Sequence, residues 1–219
     1  MARQWVKKEV RHDPLVSFAA GAEAFVRKDT QKALLIVAGV CGAAVLAWLL
    51  ISAHVKNRND AYSALMRAET NIHANPNMTL GLCDKIISEQ QHSSKTRALA
   101  QYIKGDALYV KEDYEGAFKL YSEAMPGISE ELKPNVLYAL AKSKESLGKY
   151  AEALSFYQEF TVDYDRHYLS PEVYLSMARI LSVSGESAKA AAYIEIIKGR
   201  FQGTKWSSYA ENLLPTPKK

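Results

Sequence analysis

The sequence predicts an all-α chain, a single N-terminal transmembrane helix followed by a solenoid of repeated helix pairs, and three observations carry that reading. An uncharged, strongly apolar run extends from Ala33 to Ala53. Proline and glycine then punctuate the chain at intervals suited to helices of roughly 12–18 residues, and no stretch alternates with the two-residue period of a strand. Finally, segments starting at Ala98, Pro134 and Pro171 repeat one another in register, the signature of stacked helical arrays.

The 219 residues are 48% hydrophobic and 24% charged, the proportions of a folded chain. The formal charge is only +4, and basic and acidic side chains are nearly balanced after the span, so no electrostatic footprint marks a nucleic-acid partner. Two cysteines, Cys41 and Cys83, exclude a disulfide framework and a cysteine-rich zinc module.

Residues 1–32 form a leader. Asp13-Pro14 is a helix start, with Asp as N-cap and Pro at the first helical position. Leu15, Phe18, Ala22 and Phe25 follow at steps of three and four, before Arg27 and Lys28 close the helix. Such a short amphipathic helix either lies on the inner membrane face or merely caps the span.

Residues 33–53 are the transmembrane helix. At about 1.5 Å per residue they extend roughly 31 Å, the thickness of a bilayer core. Arg27, Lys28 and Lys32 flank one end, His54, Lys56 and Arg58 the other, and Trp48 lies where a ring favours the interface. The run is too long for the apolar core of a cleaved signal peptide, which reads it as a signal anchor. Ala38, Gly39, Gly42 and Ala43 put small residues on one side of this helix. They either mark a surface for pairing, with a second copy or another membrane protein, or reflect the abundance of such residues in membrane helices. Arg3, Lys7, Lys8 and Arg11 lean toward a cytoplasmic leader.

Residues 54–219 make up the repeat domain. In each copy a small residue is followed twelve positions on by another: Gly105 and Ala117, Ala141 and Ala153, Ala178 and Ala190. Four residues later comes a large one, Tyr121, Tyr157 or Ile194. Tyr114 and Tyr150 are expected in the seam between paired helices. Gly148 and Gly185 occupy the turn, where the first copy has Glu112. These offsets resemble the tetratricopeptide repeat, whose small residues imply two helices in close approach. Ala61, Leu65, Ala68 and Ile72, with Leu82, Ile86 and Ile87, supply a degenerate first pair, and a final helix from Lys205 to Leu214 with Trp206, Tyr209 and Leu213 on one side is expected to cap the stack.

A single N-terminal span before divergent repeats ending in FQGTKWSSYAENLL is similar to the YfgM-type family of bacterial inner-membrane proteins. That resemblance implies a single-pass protein with a cytoplasmic N-terminus and periplasmic repeats. It also implies association with the Sec translocon and assistance to the folding or assembly of envelope proteins.

Catalytic patterns are absent. The five histidines are scattered without an i,i+4 partner, and phosphate loops, nucleophile elbows and zinc-protease motifs are missing. Cys83 reads as a buried thiol. No enzyme activity, cofactor or metal is expected. Two functions compete: an interaction module whose partners are integral membrane complexes or exported polypeptides, and a structural accessory subunit of a larger membrane complex. In the first, the inner surface would be lined by Tyr102, Asp106 and Tyr109, then Tyr138, Lys142 and Glu145, then Arg179. Aromatic rings mixed with charges of both signs suit peptide binding; the tyrosines also suit ordinary inter-helix packing. Inner-facing side chains are expected to leave the helix–helix seam unfilled.

Overall fold

Asn75-Pro76 is the first strong break after the apolar run, and helix α1 continues close to it, spanning Thr30–Thr70. The residues after Ala53 hold neither Gly nor Pro until Pro76, so nothing stops the helix where hydrophobicity ends. This computed structural model describes Phe18, Glu23 and residues 27–213. Of the expected leader helix, Phe18, Arg27 and Lys28 are helical; its other named residues, the C-terminal tail and Leu214 lie outside the described residues.

The chain divides into two units, Met1–Asn57 and Arg58–Lys219. In the first, α1 is the one helix among the described residues that is long and apolar enough to cross a membrane. Its large apolar side chains are exposed, with Leu34, Leu46, Trp48 and Ile51 all more than 60% accessible.

The second unit begins with the end of α1 and α2 (Pro76–Ser88), which the Asn75 side chain caps by accepting from the Met78 N–H at 3.1 Å. Ala61, Leu65, Ala68, Cys83 and Ile86 are buried between neighbouring helices. The buried Thr79 hydroxyl donates to the Ala68 carbonyl at 2.8 Å. Burial also pushes the Cys83 thiol up to about 12, which keeps it protonated and unreactive.

Three further pairs follow: α3 (Ser94–Val110) with α4 (Tyr114–Ala124), α5 (Lys133–Ser146) with α6 (Tyr150–Asp163), and α7 (Ser170–Val183) with α8 (Ser187–Arg200). A single 3-10 turn at Glu130–Leu132 precedes α5. Pro134 and Pro171 occupy the first turns of α5 and α7, where no backbone donor is lost. Between the helices of each pair the same turn recurs. The N–H groups of Asp113, Lys149 and Glu186 reach back to the carbonyls of Leu108, Lys144 and Leu181 at 2.9–3.0 Å, as in a Schellman closure. That closure needs a left-handed residue. Gly148 and Gly185 supply it with φ of 71° and 82°, and Glu112 adopts φ 65° in their place.

The repeat ladder is the core. Ala117, Ala141, Ala153, Ala178 and Ala190 are at most 1% exposed, and Tyr121, Tyr157 and Ile194 at most 2%. Gly105 marks the closest approach: a Cβ there would lie 2.5 Å from Cε1 of Tyr121. Each buried large side chain stabilises the stack by about 1.5–3 kcal/mol. Lys144 joins the first two copies, its ammonium 3.9 Å from the Phe118 ring centroid and 2.7 Å from Glu152. Tyr150 departs from expectation, being 38% exposed rather than in the seam. It opens α6, where a side chain projects past the preceding turn.

The last helix, α9 (Lys205–Glu211), is shorter than expected. Ala210 is fully buried, and Trp206 and Leu213 pack on the core of the third copy. Tyr209, expected on the same side, is 51% exposed, with its ring edge toward Trp206.

Candidate protein-binding surface

Residues four and then three apart share one face of a helix. On α3 that face carries Tyr102, Asp106 and Tyr109; on α5 it carries Tyr138, Lys142 and Glu145; on α7 it carries Arg179. The structure gathers all seven around two adjoining concavities that have Lys142 in common. The first, about 310 Å³, is bounded by Tyr102, Asp106, Tyr109, Tyr138 and Lys142. The second, about 370 Å³, is bounded by Lys142, Glu145 and Arg179 together with Ser146, Tyr150 and Val183.

Four further residues line the first concavity: Tyr121, Asn135, Ala139 and Leu169. Tyr121, the large residue of the repeat pattern, also reaches the cavity. Asn135 lies three residues before Tyr138 on the same face of α5, so helical spacing extended by one turn reaches it, whereas Leu169 comes from the connection before α7, where no helical period applies.

The inner tyrosines both pack and face the groove. Tyr102 sits with its ring centroid 5.8 Å from that of buried Tyr121, tilted by 47°. Tyr138 repeats this against Tyr157 at 6.2 Å and 48°. These are favourable aromatic separations, and both inner rings stay half-buried. The expectation that inner-facing side chains leave the seam unfilled is therefore corrected. Tyr102 packs on the cores of the first two helix pairs and Tyr138 on that of the last two, because a ring is long enough to reach across the small residues beneath it. Burial pushes the phenols of Tyr102 and Tyr138 up, so they remain neutral. The hydroxyl of Tyr109 hydrogen-bonds Ser146 across α3 and α5 at 2.8 Å.

Two carboxylates are held by equivalent buried tyrosines. Tyr121 donates to Asp106 Oδ1 and Tyr157 to Glu145 Oε2, each at 2.7 Å. Their charges differ in company. The guanidinium of Arg179 grips Glu145 Oε1 through Nε at 3.0 Å and through a terminal nitrogen, and Lys142 approaches Oε2 at 3.3 Å. Burial alone would push Glu145 up, but Lys142, Arg179 and the Tyr157 hydroxyl hold it below the usual carboxylate range. Among the described residues no cation pairs with Asp106. Burial, against the Tyr121 hydrogen bond and with help from Glu69, pushes its carboxyl up to about 7.

Among the described residues no group of three or more His, Cys, Asp or Glu could hold a metal. Ala38, Gly39, Gly42 and Ala43 lie exposed along α1, and a Cβ at Gly39 or Gly42 would meet nothing within 4 Å.

No protein-family model and no curated protein matches the chain. Solved structures do. A crystal structure of MamA, 16% identical, aligns with a TM-score of 0.53 over 74% of this chain and 82% of its own. A second MamA structure, 18% identical, gives 0.53 over 68% and 80%. At these identities the likeness concerns the fold. The body is a tetratricopeptide-type helical stack. Those neighbours bear on the repeat architecture and not on the YfgM-type resemblance.

Proposed function

We propose that the chain is a membrane-anchored protein-interaction module. Its concave face binds extended segments of partner polypeptides, and it carries no enzymatic activity. The observation that supports this reading most is the convergence of seven half-buried side chains, from the first helices of three successive repeats, on two adjoining concavities. Rings held in place by buried neighbours contribute contact area without losing much rotamer freedom on binding. The exposed apolar stretch of α1 serves as the anchor, which raises the local concentration of the groove near membrane partners. Following the YfgM-type resemblance, the anchor lies in a bacterial inner membrane, the leader is cytoplasmic, and the repeats face the periplasm. There they assist translocon-linked folding or assembly of envelope proteins. The small-residue side of the span is the surface for pairing with a second copy.

Photo-crosslinking in native membranes tests this directly. A benzophenone amino acid in place of Lys142, in the groove, should capture exported or integral membrane polypeptides, while the same group in place of exposed Glu159 should capture few. Equal capture of one subunit at fixed stoichiometry from both positions would establish the accessory-subunit reading instead. For topology, Thr216→Cys should react with an impermeant maleimide in intact cells and Gln4→Cys should not. The reverse pattern would place the repeats in the cytoplasm.

A further inference from the structure

The first concavity contains a carboxylate, Asp106, to which no cation among the described residues is paired. Asp106 accepts one hydrogen bond, from the Tyr121 hydroxyl, and sits half-buried at the wall of a space bounded by the rings of Tyr102, Tyr109, Tyr121 and Tyr138. Lys142 also borders this space, yet its ammonium lies with Glu145 at 3.3 Å. The nearby Lys104 is engaged by Asp84 at 2.5 Å. A desolvated carboxylate ringed by aromatic faces is unfavourable alone and favourable around a cation, which meets both the charge and the ring quadrupoles.

We propose that this cavity is a subsite for a cationic side chain, an arginine or lysine presented by the polypeptide that lies in the groove. The inference rests on the groove reading above and specifies its chemistry. Several features agree. The cavity, about 310 Å³, accommodates a guanidinium with its stem, and the tyrosine rings cover that apolar stem. Glu69, at the end of α1, contributes further negative potential at Asp106. The second concavity differs, because its carboxylate, Glu145, already has Arg179 and Lys142 as partners.

Cation binding is then linked to protons. The groups facing Asp106 are Glu69 from α1, the Cys83 thiol from α2, Tyr102 and Tyr109 on its own helix, Tyr121 from α4, and Tyr138 and Lys142 from α5. The thiol is held neutral by burial, and Lys142 is occupied by Glu145. With its carboxyl raised to about 7, Asp106 is mostly protonated at pH 6 and mostly ionised at pH 8. A ligand that requires the ionised form gains about tenfold in affinity across that interval.

The test uses the full chain in detergent micelles and a fluorescein-labelled nonapeptide of glycine and serine with Leu-Arg-Leu at its centre. Its twin carries citrulline, which keeps the shape of arginine without the charge. Anisotropy should show the arginine peptide binding at least about tenfold more tightly than the citrulline peptide at pH 8, with most of that preference gone at pH 6. Asp106→Asn, which retains an acceptor for Tyr121, should abolish the preference at both pH values. Equal affinities for the two peptides at pH 8, or a preference that survives Asp106→Asn, overturns the proposal. So does absence of binding by both. Equal but measurable affinities that fall in Tyr109→Ala would retain the peptide groove while removing the cation subsite, and failure of the Lys142 crosslinks would remove the groove itself. The arginine–citrulline contrast and its pH dependence need no variant, so a folding defect in Asp106→Asn leaves the question decidable.

Discussion

The first and second repeat copies answer the same structural demands with different residues. Where the paired helices meet, the second copy has Ala141 against Tyr157, whereas the first has Gly105 with Tyr121 so close that no Cβ fits between them. At the turn, the second copy uses Gly148 and the first forces Glu112 into the left-handed region, at a cost of about 1–2 kcal/mol for an L side chain. In the groove, each buried tyrosine holds a carboxylate. Glu145 is matched by Arg179 and Lys142, whereas among the described residues no cation is paired with Asp106. The fold thus fixes where a carboxylate is gripped, while the neighbouring repeat decides whether it is charged.

The largest expected effect tests the shared framework. Ala153→Leu should overpack the contact in the second copy and lower stability by about 3 kcal/mol, while Ala151→Leu, on the exposed side, should stay within about 0.5 kcal/mol. Thermal melts of the full chain in detergent distinguish them, and equal melting temperatures would break the repeat register. Gly105→Ala should come next, with a loss of about 2 kcal/mol, because its methyl displaces the Tyr121 ring.

The two carboxylates should then show opposite pH signatures. Glu145 is held low when folded, so its contribution is present above the ordinary carboxylate range and lost as pH falls through its folded value. Glu145→Gln should lower stability at pH 7 by about 2 kcal/mol, and by less in acid. Asp106 is raised to about 7, so its contribution is complete below about pH 4 and lost as pH rises toward 7. Asp106→Asn should therefore raise the melting temperature at pH 8 and leave it nearly unchanged at pH 4. A destabilising effect at pH 8 would show that the carboxylate is compensated after all.

The smallest effect concerns the turns. Glu112→Gly should stabilise the first copy by about 1 kcal/mol, and Gly148→Ala should destabilise the second by a similar amount. Urea midpoints at constant m would report both.

Much of this was legible in the sequence because periodic constraints leave periodic marks. The small residues and the large one that follows are forced by helix separation, and the structure buries every one of them. Helical spacing also brought the seven groove residues onto common faces. It could not tell that Tyr102 and Tyr138 would lean on Tyr121 and Tyr157, since ring tilt depends on the depth of the contact beneath. Leu169 comes from a connection, whose path carries no period. The contrast between Asp106 and Glu145 was equally hidden. It depends on Arg179, 34 residues beyond Glu145, and has no counterpart in the spacing of either copy.

Lys144 has a practical consequence for labelling. Only 9% exposed, its amine is covered by the Phe118 ring on one side and held by Glu152 on another. Acylating reagents must reach the amine nitrogen, and here its neighbours shield it. It should acylate far more slowly than exposed Lys119. Silence at Lys144 in a lysine-footprinting map of the membrane-bound protein therefore reports the junction of two repeats, and the footprint of a bound partner must be read from its more reactive neighbours.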